Sequence, residues 1–182
     1  PSAILDHCSP GRWWGELDES FDGVFWVGGH AMAGTMHAFL DHTQSSKSWY
    51  NYYLNGRKCG EIGQFGCIAG HFGVPVLLVT GDRAACAEAK EFFPGVETVE
   101  VKYARARNMA VCLPVERAHR LIREGAERAM KLIGKVKPFV IEPPIEVKLE
   151  LYRTDMADEV ASRREVERVD ARSVRKVVDS AL

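Results

Sequence analysis

The chain has 182 residues, of which 46% are hydrophobic and 27% are charged, and its formal net charge is −1 at pH 7. This length and composition are typical of one globular domain that buries its own core. The near-neutral charge gives no electrostatic case for nucleic acid or an anionic membrane as a partner, and no apolar stretch has the length of a membrane-spanning helix.

The first residues of the chain are poorly patterned. We expect an atypical N-terminal segment at residues 1–20 and a single domain at residues 21–182. No signal peptide is visible, and the cysteines form no Cys-x-x-Cys pair, so reduced thiols and a cytoplasmic location are expected. The segment contains apolar side chains that need burial, against a sheet edge or a neighbouring subunit: Ile4, Leu5, Trp13 and Trp14.

Three elements are predicted in the next part of the chain. Residues 21–29 (FDGVFWVGG) indicate a buried strand that ends in a glycine turn. Residues 48–61 (SWYNYYLNGRKCGE) predict a β-hairpin, because Asn55-Gly56 is the strongest short signal for a hairpin turn. Residues 61–73 (EIGQFGCIAGHFG) have the apolar spacing of a helix, and their glycines suggest close packing.

Strands and helices then alternate. Continuous apolar character predicts a doubly buried strand at 74–81, and 82–93 is typical of a helix that begins near Asp82. A strand is predicted at 96–104, an amphipathic helix at 114–135 and another strand at 145–152. A short helix and one or two strands are expected to close the chain. This order predicts an α/β fold with a mixed, largely parallel sheet flanked by helices in a single domain.

Three histidines fall within 13 residues: His30, His37 and His42. His30 follows the first predicted strand in a Gly-Gly-His turn, and ligands of α/β sheets gather beyond the carboxyl ends of strands. A satisfied turn histidine is the alternative interpretation of His30. His42 is a candidate general base, with a solvated loop histidine as its alternative.

Glu61 begins the glycine-rich helix, where a carboxylate interacts favourably with the helix dipole. The alternative is a metal ligand, since hydrolytic zinc sites combine histidine nitrogens with carboxylate oxygens. Cys59, Cys67 and His71 lie nearby without any spacing typical of zinc, so packing roles are expected for the two cysteines.

Six segments taken in chain order resemble one known family. They are FDGVFWVGGHAMAGT, DHT, YLNGRKCGEIG, VPVLLVTGD, VEVKYARARNMAVCLP and VERVDARSVRKVVDSAL. Together they are similar to the D-aminopeptidase family of dinuclear zinc peptidases, associated with dipeptide-transport operons, from about Ser20 to Leu182. The resemblance implies a zinc-dependent aminopeptidase that hydrolyses short peptides with a free N-terminus, with D-residue specificity as one option. It also implies a homo-oligomer, since family members form ring-shaped decamers of stacked pentamers.

The same resemblance assigns roles to individual residues. It implies that His30 and Glu61 are ligands of one or two zinc ions, and that His42 is catalytic; no role carries over to His37. The family's Asp-x-Glu strand and a further ligand histidine have no counterpart in the sequence. The missing ligands are therefore expected from a longer polypeptide or a second chain. The alternatives are a catalytically degenerate member that binds or assembles, and an enzyme that uses the thiol of Cys8.

Overall fold

The computed structural model describes residues 16–181, which contain nine strands and four helices. In chain order they are β1 (Val24–Gly29), β2 (Trp49–Leu54), β3 (Arg57–Lys58), α1 (Glu61–His71), β4 (Val76–Asp82), α2 (Arg83–Phe92), β5 (Glu97–Ala106), β6 (Met109–Cys112), α3 (Val115–Met130), β7 (Ile145–Leu151), α4 (Thr154–Ala161), β8 (Glu167–Arg168) and β9 (Ser173–Val178). No helix within these residues is long and apolar enough to cross a membrane.

The first sheet, sheet A, has the strand order β1-β4-β5-β6. The pairs β1–β4 and β4–β5 are parallel, and only β5–β6 is antiparallel. All seven residues of β4 are buried, as its continuous apolar run predicts. Helices α2 and α3 pack against β4 and β5. The predicted mixed, largely parallel sheet flanked by helices is confirmed.

The second sheet, sheet B, is antiparallel and has the order β3-β2-β7-β9-β8. The predicted hairpin forms β2 and β3, and its two turn residues, Asn55 and Gly56, have φ angles of 46° and 78°. Two successive positive φ angles are what a two-residue type I′ turn requires.

Strand β7 differs from the expected alternation of strand and helix. It pairs antiparallel with β2 and β9 instead of extending sheet A. The free edge of β5 is already taken by β6, which the sequence did not predict. The alternating burial of Ile145, Leu149 and Leu151 suits a sheet with one buried face.

Two sequence predictions need correction: the burial of β1 and the end of α3. Strand β1 was predicted to be buried, but among the described residues it pairs only with β4, and Phe25 and Val27 are 38% and 63% exposed. An apolar run does not distinguish an edge strand from a central one. Helix α3 ends at Met130, five residues before the predicted end, and the chain continues in turns.

A shared core joins the two sheets. It contains Leu54 of β2, Ile62 of α1, Val79 of β4 and Ile145 of β7, all buried. Helix α1 packs closely here, since a Cβ on Gly66 would collide with the ring of Phe93. The glycines of α1 therefore serve the close packing that the sequence suggests.

Candidate functional site

The loop between β1 and β2, residues 30–48, has an unusual backbone. His37, Leu40 and Gln44 adopt positive φ angles of 56°, 54° and 59°. A positive φ angle at a residue other than glycine costs about 1 to 3 kcal/mol of conformational free energy. Such a conformation persists only where surrounding contacts hold it. The loop is therefore shaped by its contacts and not by its local preferences.

Those contacts come from two elements of sheet A. The carboxylate of Asp82, at the end of β4, accepts a 2.6 Å hydrogen bond from the N–H of Phe39 and also caps α2. The carbonyl oxygen of Arg107, a residue between β5 and β6, accepts a 2.7 Å hydrogen bond from the N–H of Leu40. The Arg107 guanidinium lies 3.2 Å from the Asp41 carboxylate and donates to the Asp41 carbonyl at 3.0 Å. The segment that precedes His42 is therefore fixed on both sides.

His30 stands directly after β1, at the carboxyl end of the strand. Its Nδ1 donates to the carbonyl oxygen of Phe39 at 3.0 Å. A carbonyl partner on one ring nitrogen sets the tautomer and leaves the other, Nε2, with a free lone pair. The ring is half-buried, and its centroid is 5.2 Å from that of His42. The Phe39 contact therefore engages Nδ1 of His30 and not Nε2.

His42 is held at both ring nitrogens. Nδ1 donates to the carbonyl oxygen of Leu40 at 2.6 Å, and Nε2 lies 3.2 Å from Oε1 of Glu61. Only 21% of the His42 side chain and 18% of the Glu61 side chain are exposed. Because each nitrogen faces an oxygen acceptor, both contacts are hydrogen bonds only when the ring carries two protons. The ring of His42 is therefore positioned by one contact on each side.

Glu61 is the first residue of α1, and its Oε1 also accepts a 2.9 Å bond from the N–H of Gln44. Gln44 in turn donates through its side chain to Gln64, one turn further along the helix. The carboxylate therefore does more than complement the helix dipole. The structure brings the three predicted residues, His30, His42 and Glu61, into one cluster; their metal and catalytic roles remain predictions.

The other candidates lie apart from this cluster. His37 is exposed, as is His71. Cys59 and Cys67 are 1% and 4% exposed, which confirms their predicted packing roles, and burial raises the pKa of the Cys59 thiol to about 12. The residues of the N-terminal predictions lie outside the described part of the chain: Ile4, Leu5, Cys8, Trp13 and Trp14.

Several residues that shape the site escaped sequence reasoning. Asp82 was recognised only as a helix start, although a carboxylate at the carboxyl end of a central strand is itself a signal for a site. Gln44 contacts Glu61, and Arg107 holds the segment before His42. Both lie in irregular segments, and no local pattern marks them. Glu88 of α2, which accepts a hydrogen bond from the N–H of Met32, is likewise unmarked by any local pattern.

The cluster of His30, His42 and Glu61 contains donor atoms of the kind that zinc binds, but too few of them. The free Nε2 of His30 and the carboxylate of Glu61 are typical zinc ligands. A zinc ion takes about four ligands, and residues 16–181 contain no group of three or more His, Cys, Asp or Glu arranged to hold a metal ion. His30 and Glu61 together offer fewer donors than a zinc ion takes.

Comparison with known proteins adds to this geometry. A family model described as D-aminopeptidase matches residues 11–182. A D-aminopeptidase of Bacillus subtilis (strain 168) is 38% identical over 128 residues, which are 70% of this chain and 45% of that protein. The solved structure of the zinc-dependent D-aminopeptidase DppA from Bacillus subtilis, described as a self-compartmentalizing protease, superposes with a TM-score of 0.88 at 29% identity. The structural match covers 91% of this chain and 60% of that one. The chain spans about half the length of the curated relative that it matches.

Proposed function

Since the chain belongs to the D-aminopeptidase family, we propose that it acts in the zinc-dependent hydrolysis of short peptides with a free N-terminus. The observation that carries the proposal is the cluster of two imidazoles and one carboxylate at the carboxyl end of β1. The relatives named above are zinc-dependent or D-specific aminopeptidases. D-residue specificity in this chain is part of the proposal.

In this function His30 and Glu61 are zinc ligands. His30 binds through Nε2, because Nδ1 is engaged with the Phe39 carbonyl. Glu61 binds through its carboxylate, whose Oε1 is oriented by the N–H of Gln44. A longer polypeptide or a second chain supplies the remaining ligands, for one ion or two. When bound, zinc makes a water nucleophilic near neutral pH and polarises the scissile carbonyl.

His42 is the proton-transfer residue. Its Nδ1 is anchored on the Leu40 carbonyl, so the ring cannot rotate away without losing a 2.6 Å hydrogen bond. Nε2 is then the nitrogen that exchanges a proton, taking it from the attacking water and delivering it to the leaving amine. In its doubly protonated form the ring also stabilises negative charge on the tetrahedral intermediate.

Assembly into a homo-oligomer is proposed from the relative described as self-compartmentalizing. A ring-shaped decamer is the specific form expected from the family resemblance. The alternative of a catalytically degenerate member with a binding or assembly role is not favoured, because the relatives are named as peptidases.

The test replaces Glu61 by Gln. Zinc content per chain and hydrolysis of short peptides that begin with a D- or L-residue are measured on protein purified without chelator. We expect Glu61→Gln to lose both bound zinc and hydrolysis, because an amide is a poor zinc ligand. Glu116→Gln is the matched control, since Glu116 is an exposed first-turn carboxylate of α3 remote from the cluster. Wild-type activity in Glu61→Gln would overturn the assignment.

A further inference from the structure

Glu88 is a buried carboxylate that the mechanism above does not use. It lies on α2 and is 6% exposed. Its Oε2 accepts a 2.7 Å hydrogen bond from the N–H of Met32. The N–H of Gly60 also lies close enough to stabilise the carboxylate, although within residues 16–181 Oε1 has no partner that reaches full hydrogen-bond geometry. One side chain therefore faces two backbone N–H groups from separate segments.

Those two segments are the ones that carry the proposed zinc ligands. Met32 is two residues after His30, and Gly60 is directly before Glu61. The segments are also packed against each other, since a Cβ on Gly60 would lie 2.8 Å from the Cβ of Met32 and 2.9 Å from Oε1 of Glu88. Glu88 thus joins the end of β1 to the start of α1 from a third element.

The charge of Glu88 is costly where it lies. Burial raises its pKa to about 7, while the Met32 and Gly60 N–H groups oppose the rise. Lys58 also lowers the pKa, and Glu91, the other nearby carboxylate, raises it. A buried carboxylate is retained at low cost only if its N–H partners are held in place. The buried carboxylate therefore holds the segments of Met32 and Gly60 in place.

We propose that Glu88 is a positioning residue of the zinc site, which sets the distance between His30 and Glu61 by binding the backbone next to each. The inference rests on the proposed function, because it concerns how the ligands of that function are placed. Groups that orient metal ligands from outside the coordination sphere typically change metal affinity about 10- to 100-fold when they are removed.

The experiment compares Glu88→Ala and Glu88→Gln with Glu91→Gln, which removes an exposed carboxylate from the same helix. Two quantities are measured on each protein: amide hydrogen exchange at Met32 and Gly60, and zinc affinity by competition with a chelator of known affinity. In Glu88→Ala we expect faster exchange at both amides and zinc affinity about 10- to 100-fold weaker. Glu88→Gln keeps one carbonyl acceptor and should fall between Glu88→Ala and the wild type, whereas Glu91→Gln should match the wild type.

The outcomes separate this inference from the proposed function. Exchange that rises only around Met32 and Gly60 supports a positioning role. Exchange that rises uniformly along the chain, or a folded Glu88→Ala protein that matches Glu91→Gln in both measurements, overturns it. If Glu88→Ala does not fold, Glu88→Gln decides by the same two measurements. A wild-type protein that binds no zinc contradicts the proposed function, while the exchange comparison still decides whether Glu88 positions the two segments.

Discussion

His42 shows how single side chains are held in the candidate site. Its ring bridges the carbonyl of Leu40 and the carboxylate of Glu61, which are on opposite sides of the cluster. Leu40 has a positive φ angle of 54°, and the hydrogen bond from its N–H to Arg107 holds that conformation. The position of the imidazole therefore depends on a strained backbone that neighbouring strands keep in place.

Replacing His42 by Ala is expected to lower kcat/KM for peptide hydrolysis about 10²- to 10⁴-fold, the usual contribution of a general acid–base residue. Zinc content should stay close to that of the wild type, because His42 is not one of the proposed ligands. His37→Ala is the control from the same loop, since that side chain is exposed. Equal kcat/KM in the two variants would contradict the role of His42.

Glu88 predicts a pH dependence of stability. Its pKa is raised from 4.5 to about 7 in the folded protein, mainly by burial. Between these values the folded state binds more protons than the unfolded state, so the free energy of unfolding falls as pH rises. The loss attributable to Glu88 is about 3 kcal/mol between pH 4.5 and pH 8. In Glu88→Gln, urea unfolding across this range should lack that part of the slope; an unchanged slope would contradict the raised pKa.

At the scale of the elements, α1 is the one that unites core and site. Its first residue, Glu61, belongs to the cluster, while Ile62 and Cys67 belong to the core shared by both sheets. Glycine at position 66 lets the helix approach Phe93, which is 2% exposed. The placement of Glu61 therefore depends on packing along the whole helix.

Gly66→Ala tests this packing. Alanine in place of glycine stabilises a helix by about 1 kcal/mol. Here, however, the added methyl group collides with the buried ring of Phe93, and overpacking typically costs about 1 to 3 kcal/mol. We expect a net decrease in the free energy of unfolding, measured by urea denaturation. Phe93→Leu makes room at the same contact, so the double variant should be less destabilised than the sum of the single variants. Additive effects would show that this contact does not limit the approach of α1.

At the scale of the whole molecule, residues 16–181 form an α/β fold like that of the solved relative but bring few possible metal ligands together. The chain superposes on 60% of the length of DppA with a TM-score of 0.88. Within residues 16–181 the cluster offers too few donors to hold a metal ion by itself. We therefore expect zinc binding to depend on residues from elsewhere in a longer polypeptide or on a second chain.

Chelation tests this expectation. Dialysis of the assembled protein against a zinc chelator should abolish peptide hydrolysis, and adding about stoichiometric zinc should restore it, because the donors His30 and Glu61 remain in place. Elemental analysis and light scattering before and after chelation would measure zinc per chain and the oligomeric state. Full hydrolysis by zinc-free protein would contradict a zinc peptidase, and a monomer in the zinc-loaded state would contradict the proposed assembly.

The amino-acid sequence by itself determined the elements whose signal is local. The turn at Asn55-Gly56, the buried strand β4 and the start of α2 at Asp82 follow from periodicity, turn chemistry and capping, and all are present. The sequence also singled out His30, His42 and Glu61, through their residue types and the family resemblance.

Only the tertiary structure decided which of these parts meet. It placed β7 in sheet B, because β6 occupies the edge of β5, and it exposed one side of β1. It also set the 3.2 Å contact between His42 and Glu61 and placed Glu88 beside the segments that contain His30 and Glu61. These contacts join residues many positions apart, and local patterns carry no information about which distant edge or carboxylate will lie beside a given segment.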